Sequence, residues 1–105
     1  MKLTDEGKYR VEVDAEIIDI VPTFIEHRWQ DVASLQDALA HTDPALIRKV
    51  AHNLKGSGRS FGFDTITALG VRLERAARTE NWNAIGKFID LLIAYLERVE
   101  PVRGH

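Results

Sequence analysis

Apolar residues recur at intervals of three, four and seven along most of the chain, which is the spacing of one face of an α-helix. Four segments show this pattern, and short polar breaks separate them. The predicted helices cover about residues 22–41, 44–60, 64–78 and 82–100. Short connections favour antiparallel packing of neighbouring helices. The sequence therefore predicts an all-α fold, an antiparallel four-helix bundle with a short additional N-terminal helix.

Local signals set the predicted ends of these helices. Asp43 is suited to cap the second helix, and Gly62 to close it. Asp64 or Thr65 is expected to cap the third helix. The last helix is expected to end near Pro101, because proline cannot continue a helix.

The start of the chain follows a different pattern. Apolar and charged residues alternate over residues 9–14, which is a weak strand signal. Since the sequence offers this strand no obvious partner, we interpret residues 1–13 as an extended arm. A short helix is predicted near residues 14–21, before Pro22. The predicted organisation has three parts: an arm at 1–13, a bundle at 14–100 and a C-terminal tail at 101–105.

Composition narrows the function classes. The chain has 105 residues, of which 45% are hydrophobic and 29% are charged, as in an ordinary globular domain. The absence of cysteine excludes disulfides, zinc–thiolate sites and cysteine nucleophiles. A net charge of −2 argues against non-specific nucleic-acid binding. No secretory signal or membrane-spanning apolar run is present in the sequence. We therefore expect a cytoplasmic monomer with neither nucleic acid nor membrane as a partner.

The second predicted helix has two faces of opposite character. Its apolar face is directed toward a core, and the opposite face centres on His52. Four cations surround this histidine: Arg48, Lys49, Lys55 and Arg59. Gly56 lies on the same outer face, where glycine costs about 0.5–1 kcal/mol relative to alanine. Core packing cannot offset this at an exposed position, so we expect another molecule to approach closely there.

These residue types suit phosphoryl transfer. Imidazole is largely neutral at pH 7 and can act as a nucleophile. Lys55 follows His52 by one helical turn and can balance the charge of a phosphoryl group in transit. The sequence contains no Walker loop and no glycine-rich kinase loop. A phosphoryl group would therefore come from one partner protein and leave to another, which predicts a phosphocarrier without an ATP site rather than an enzyme.

The stretch His52-Asn53-Leu54-Lys55-Gly56-Ser57 resembles the H-x-L-K-G-S signature of histidine phosphotransfer (HPt) domains in multistep two-component phosphorelays. The stretches 21–25, 61–63 and 73–77 resemble other parts of the same family, and the likeness covers roughly residues 14–99. Gly58 stands where many members have Ser or Ala.

The resemblance implies a helical bundle whose exposed histidine accepts a phosphoryl group on Nε2. The donor would be a receiver-domain aspartyl phosphate or a hybrid sensor kinase, and the acceptor a response-regulator aspartate. His52 matches the phosphorylated histidine, and Lys55 and Gly56 match the lysine and glycine of the motif. Mg²⁺ would belong to the partner receiver, and no cofactor is expected in this chain. We expect Arg48, Lys49, Gly56 and Arg59 to contact the partner.

Two alternatives remain open at this point. The same bundle could dock on a receiver or another signalling protein without being phosphorylated, although an intact His52-Lys55-Gly56 set favours phosphotransfer. A nucleic-acid-binding bundle is weaker, because four cations on one helix give few phosphate contacts.

Overall fold

Four helices form most of the computed structural model, which describes residues 7–104. The helices are α1 (Val21–Ala40), α2 (Pro44–Phe61), α3 (Asp64–Arg78) and α4 (Trp82–Arg98). Each helix packs against the next one in the chain, and α1 also packs against α4, which closes the ring. This mainly helical fold agrees with the all-α prediction. The antiparallel arrangement of the bundle stays a prediction, favoured by connections of two or three residues.

Side-chain and backbone caps fix several helix ends. The Asp43 carboxylate accepts a hydrogen bond from the backbone N–H of Leu46 at 3.1 Å, as predicted for the start of α2. The Asn81 side chain accepts one from the N–H of Ala84 at 3.1 Å and caps α4 in the same way. Gly62 ends α2 with a φ of 81°, a left-handed conformation that favours glycine.

Two predicted boundaries of the helices are wrong. Asp64 is itself the first residue of α3, and Phe63 rather than Asp64 or Thr65 holds the N-cap position. The predicted helix near 14–21 is reduced to one turn of 3-10 helix at Ile18–Ile20. Pro22 lies in the first turn of α1, where its missing N–H is not needed, and α1 begins at Val21, one residue from the predicted start near 22.

The chain ends meet in a small sheet that the sequence analysis missed. Tyr9–Val13 forms strand β1, and Val99–Arg103 forms strand β2. They pair in parallel, with Tyr9 opposite Val99. The expectation that the first strand has no partner is therefore wrong, and α4 ends at Arg98 because the chain then becomes extended. The predicted arm and tail include residues 1–6 and 105, which lie outside the described residues.

The core consists of apolar side chains from all four helices. The residues with essentially no exposed surface include Leu35, Ile47, Leu54, Phe63, Ile66, Leu73, Ile85 and Leu92. At the end of α2, the ring of Phe24 stacks on those of Phe61 and Phe63, with centroids 4.4 and 5.0 Å apart. The apolar faces predicted from the sequence are thus the buried ones.

Helices α2 and α3 approach each other closely at two glycines. A Cβ atom on Gly70 would lie 2.7 Å from the backbone N of Lys55, and one on Gly58 would lie 2.6 Å from Thr67 Oγ1. Both positions therefore require a residue without a side chain. Thr67 Oγ1 also donates a hydrogen bond to the Lys55 carbonyl at 3.2 Å. This close contact brings the side chains of α3 up to the outer face of α2.

Candidate functional site

His52 lies on the outer face of α2, with 70% of its side chain exposed. Its Nδ1 atom is 3.5 Å from Oε2 of Glu74, a residue of α3. A proton on Nδ1 faces this carboxylate and leaves the lone pair on Nε2, because neutral imidazole carries one proton. The arrangement favours the tautomer in which Nε2 carries the lone pair.

Glu74 is the centre of a small ion-pair network. Its Oε1 atom is 3.4 Å from Lys55 Nζ and 3.6 Å from an Arg78 guanidinium nitrogen, while Oε2 faces His52. Burial acts to raise the pKa of Glu74, but the nearby charges of Lys55, Arg78 and His52 outweigh it and hold that pKa below its ordinary value. The carboxylate therefore stays ionised beside the histidine at neutral pH.

Helix packing explains how Glu74 reaches α2. Gly70 lies one turn before Glu74 and allows the α3 backbone to approach the turn of α2 between Ala51 and Lys55. The next turn of α3 then places a glutamate against His52, with only 19% of its side chain exposed. The position of the carboxylate is thus set by backbone packing as well as by charge.

The predicted cations fall into three groups. Arg48 and Lys49 are exposed and line an open depression of about 450 Å³, together with His52, Asn53 and Glu74. Lys55 is half-buried and turned toward Glu74 rather than toward solvent. Arg59 is exposed seven residues after His52, which is about 10 Å along the helix axis, and it does not line the depression. The structure therefore brings Arg48, Lys49 and Lys55 to the histidine but not Arg59.

Gly56 differs from the packing glycines of the same contact. It is exposed, and a Cβ atom built on it would meet no atom within 4 Å among the described residues. Internal packing therefore does not require glycine here. A docking protein that approaches the helix backbone would require it, as the sequence analysis predicted.

Comparison with known families agrees with this geometry. A family model described as the Hpt domain matches residues 19–101, which is most of the chain. The chain belongs to the Hpt domain family. No curated protein and no solved structure matches it significantly. Membership implies a histidine phosphotransfer role in two-component signalling, as a phosphocarrier rather than an ATP-using enzyme. Proteins of this family interact with receiver domains and kinases in phosphorelays.

The sequence analysis of this Hpt domain missed Glu74 and Arg78 as parts of the site. Glu74 is 22 residues after His52 in the chain and lies on a different helix. Its signal in the sequence is a single acid at the fourth position after Gly70, with Arg78 four residues later. That signal becomes specific only when the packing of α3 on α2 is known.

Residues 7–104 of the Hpt domain also bear on membranes and metals. No helix in this range is both long enough and apolar enough to cross a membrane. The same range contains no cluster of three or more histidine, aspartate or glutamate side chains that could hold a metal ion.

Proposed function

We propose that this Hpt domain is a phosphorelay intermediate in which His52 accepts a phosphoryl group and passes it on. The donor is an aspartyl phosphate of a receiver domain or of a hybrid sensor kinase, and the acceptor is the aspartate of a response regulator. The observation that carries this proposal is the exposed imidazole whose Nδ1 faces an ionised carboxylate at 3.5 Å. The position of His52 in the family signature gives the proposal further support.

The transfer step uses the lone pair of Nε2. This nitrogen attacks phosphorus, an N–P bond forms, and the P–O bond to the aspartyl group breaks, so that a carboxylate leaves with the bonding electrons. Nδ1 keeps its proton, and the positive charge that develops on the ring is stabilised by Glu74. In the second transfer, a carboxylate oxygen of the acceptor attacks phosphorus and the electron pair of the N–P bond returns to Nε2.

Neighbouring residues have supporting roles in this proposal. Lys55 is one turn from His52, and its ammonium can move from Glu74 to the oxygens of the phosphoryl group. Arg48 and Lys49 attract an acidic partner surface to the depression beside His52. Gly56 leaves room for the partner, and Arg59 contacts its periphery. Mg²⁺ belongs to the receiver domain and needs no ligand from this chain.

A phosphorylation assay tests the proposal. The protein is incubated with a phosphorylated receiver domain and Mg²⁺, beside the variant His52→Gln. We expect an acid-labile, alkali-stable label on the wild type and none on the variant. Binding of the receiver to both proteins without any label would instead favour a docking module. Equal labelling of the two proteins would contradict His52 as the acceptor.

A further inference from the structure

Helix α4 carries an apolar stripe that runs from the core residue Tyr95, 3% exposed, to partly exposed positions. Ala84, Phe88, Leu91 and Tyr95 follow one another at intervals of four, three and four, which places them on one face of the helix. Leu91 is 54% exposed, and Phe88 is half-buried. The core therefore uses only part of this stripe, and the rest faces solvent.

Two depressions lie along this stripe, between α3 and α4. The first has a volume of about 420 Å³, and its lining includes Arg72, Arg75, Ala76, Ala84 and Phe88. The second has a volume of about 270 Å³, and its lining consists of Tyr9 from β1 together with Thr65, Leu69, Leu91, Ala94 and Tyr95.

Among the described residues, the two depressions share no lining residue, but they follow one another along the same two helices. The first joins the end of α3 to the start of α4, and the second joins the start of α3 to the end of α4. Leu69 and Arg72 are one turn apart on α3, as are Phe88 and Leu91 on α4, so the two depressions are neighbours, and we call them together the α3–α4 groove. From Thr65 to Thr79 it extends about 21 Å, the length of a helix of about four turns.

The charge of the α3–α4 groove is uneven. Arg72 and Arg75 line one end, and neither makes an ion pair with any residue in the range 7–104. Arg10 and Asp64 line a depression at the other end, and Arg10 forms an ion pair with Glu100 at 3.9 Å. One end thus offers two cations that form no ion pair within the described residues.

The groove is separate from the site around His52. At about 100° per residue, Arg72 and Glu74 point about 200° apart around α3. Glu74 contacts α2, whereas Arg72 lines the groove beside α4. A molecule bound in the groove would therefore leave the His52 face accessible.

We propose that the α3–α4 groove binds an amphipathic α-helix of another protein. Its apolar stripe would pack on Phe88 and Leu91, and its acidic residues would lie beside Arg72 and Arg75. The helical spacing of the stripe and the length of the groove favour a helix as the occupant. The two guanidinium groups, which form no ion pair within residues 7–104, favour an acidic one. Such a partner would hold the Hpt domain while His52 is free to meet a receiver.

A synthetic peptide of 16 residues tests this inference. It carries leucines at helical spacing and glutamates clustered near one end, and binding is followed by the shifts of backbone amide NMR signals. A peptide of the same composition in scrambled order controls for the stripe, and one with lysine in place of glutamate controls for charge. We expect the acidic peptide to shift signals of the groove residues, and both controls to bind at least about tenfold more weakly.

Two variants of the protein sharpen the test. Leu91→Glu, and the double substitution Arg72→Glu with Arg75→Glu, should each weaken peptide binding at least about tenfold. The matched reversal Arg48→Glu with Lys49→Glu, on the His52 side, should not weaken it. Circular dichroism checks that each variant is folded. Leu91→Glu should also retain the rate of phosphotransfer, so that a failure of the groove is distinguished from a failure of the phosphocarrier.

Three outcomes would overturn the inference. The scrambled peptide could bind as well as the acidic one, or the shifted signals could cluster around His52. Alternatively, sedimentation could show a dimer that Leu91→Glu dissociates, in which case the occupant is a second copy of this chain.

Discussion

Helix α3 carries arginines toward two different neighbours. Arg78 pairs at 3.6 Å with Glu74, the residue of α3 that faces α2. Arg72 and Arg75 line the α3–α4 groove and have no ion-pair partner in the described part of the chain. Arginine thus completes the ion-pair network around Glu74 on one side of α3. On the other side, arginine is available to another molecule. A pre-arranged site therefore has its charged residues paired within the domain, whereas a docking surface leaves its charged residues for a partner to pair with.

Removing the charge of Glu74 should have the largest effect on the function of the α2 side, because it slows phosphotransfer. Glu74→Gln keeps the shape of the side chain but leaves the developing charge on His52 without its counter-ion. A hydrogen bond to a charged group contributes about 1.5–3 kcal/mol, so we expect transfer to slow about tenfold to a hundredfold. Single-turnover transfer from a phosphorylated receiver measures this rate.

The matched control for that experiment is Glu97→Gln, an exposed glutamate of α4. It removes the same charge outside the network and should transfer at the wild-type rate. Equal rates for both variants would show that the carboxylate beside His52 has no part in transfer.

The packing glycine of α3 and the exposed glycine of α2 should respond oppositely to alanine. Gly70→Ala forces the new methyl group against the backbone of Lys55, and we expect the free energy of unfolding to fall by about 1–3 kcal/mol. The methyl group of Gly56→Ala has no atom of the described residues within 4 Å, and this substitution should raise the free energy of unfolding by about 0.5–1 kcal/mol. Urea denaturation measures both effects.

A larger side chain at Gly56 separates docking from stability. Gly56→Gln should fold normally but slow phosphotransfer, because the side chain stands where the partner approaches. Wild-type transfer by this variant would contradict the close-approach argument, and unfolding of the variant would contradict the open space around Gly56.

Loss of the lysine should have a smaller effect on transfer. Lys55→Ala removes the ammonium that pairs with Glu74, but Arg78 continues to hold the carboxylate. We expect transfer to slow about tenfold without being abolished, the effect of one charged hydrogen bond. Lys55→Arg, measured in the same assay, should recover part of the rate, and an unchanged rate in Lys55→Ala would make the lysine a surface residue only.

The two sides of α3 can be compared directly through its arginines. Arg78→Gln weakens an exposed ion pair worth about 0.2–1 kcal/mol, so transfer should slow about twofold. Arg75→Gln changes no ion pair among residues 7–104 and should leave transfer unchanged while weakening binding in the α3–α4 groove. Identical effects of the two substitutions on both measurements would remove the distinction between the two faces.

The smallest effect is a pH dependence of stability. The pKa of Glu74 is lowered in the folded state from its ordinary value of 4.5, so folding favours the ionised form. The resulting stability is present above pH 4.5 and is lost as pH falls through the lowered pKa. The difference in unfolding free energy between the wild type and Glu74→Gln should therefore shrink as the pH falls from neutral to about pH 3. A constant difference would show that Glu74 is not preferentially ionised in the fold.

The sequence predicts local features of this domain well and long-range ones poorly. Asp43, Gly62 and the outward face around His52 follow from residues within a few positions of each other. Strand β2 was missed because it follows α4 without a break and contains a proline. Its pairing joins residues about ninety positions apart, and no local pattern reports such a contact.

The same reason explains the missed glutamate. Glu74 joins the site only because Gly70 brings two helix backbones together, and the functional consequence of that glycine depends on which helix it meets. The sequence does indicate that Gly70 packs closely, since it lies near the apolar side of its helix. It does not indicate that the neighbour is the turn that carries His52.

The parallel strand pair also determines how the domain would respond to mechanical force. Tyr9 lies opposite Val99, and Val13 lies opposite Arg103, so the chain enters the pair at one end and leaves it at the other. Pulling on the two ends of the chain therefore slides the strands past each other and loads their hydrogen bonds together, in shear, rather than opening them one at a time. The hydrogen bonds between the two strands therefore carry the force first, and the four helices are not loaded until the strands separate.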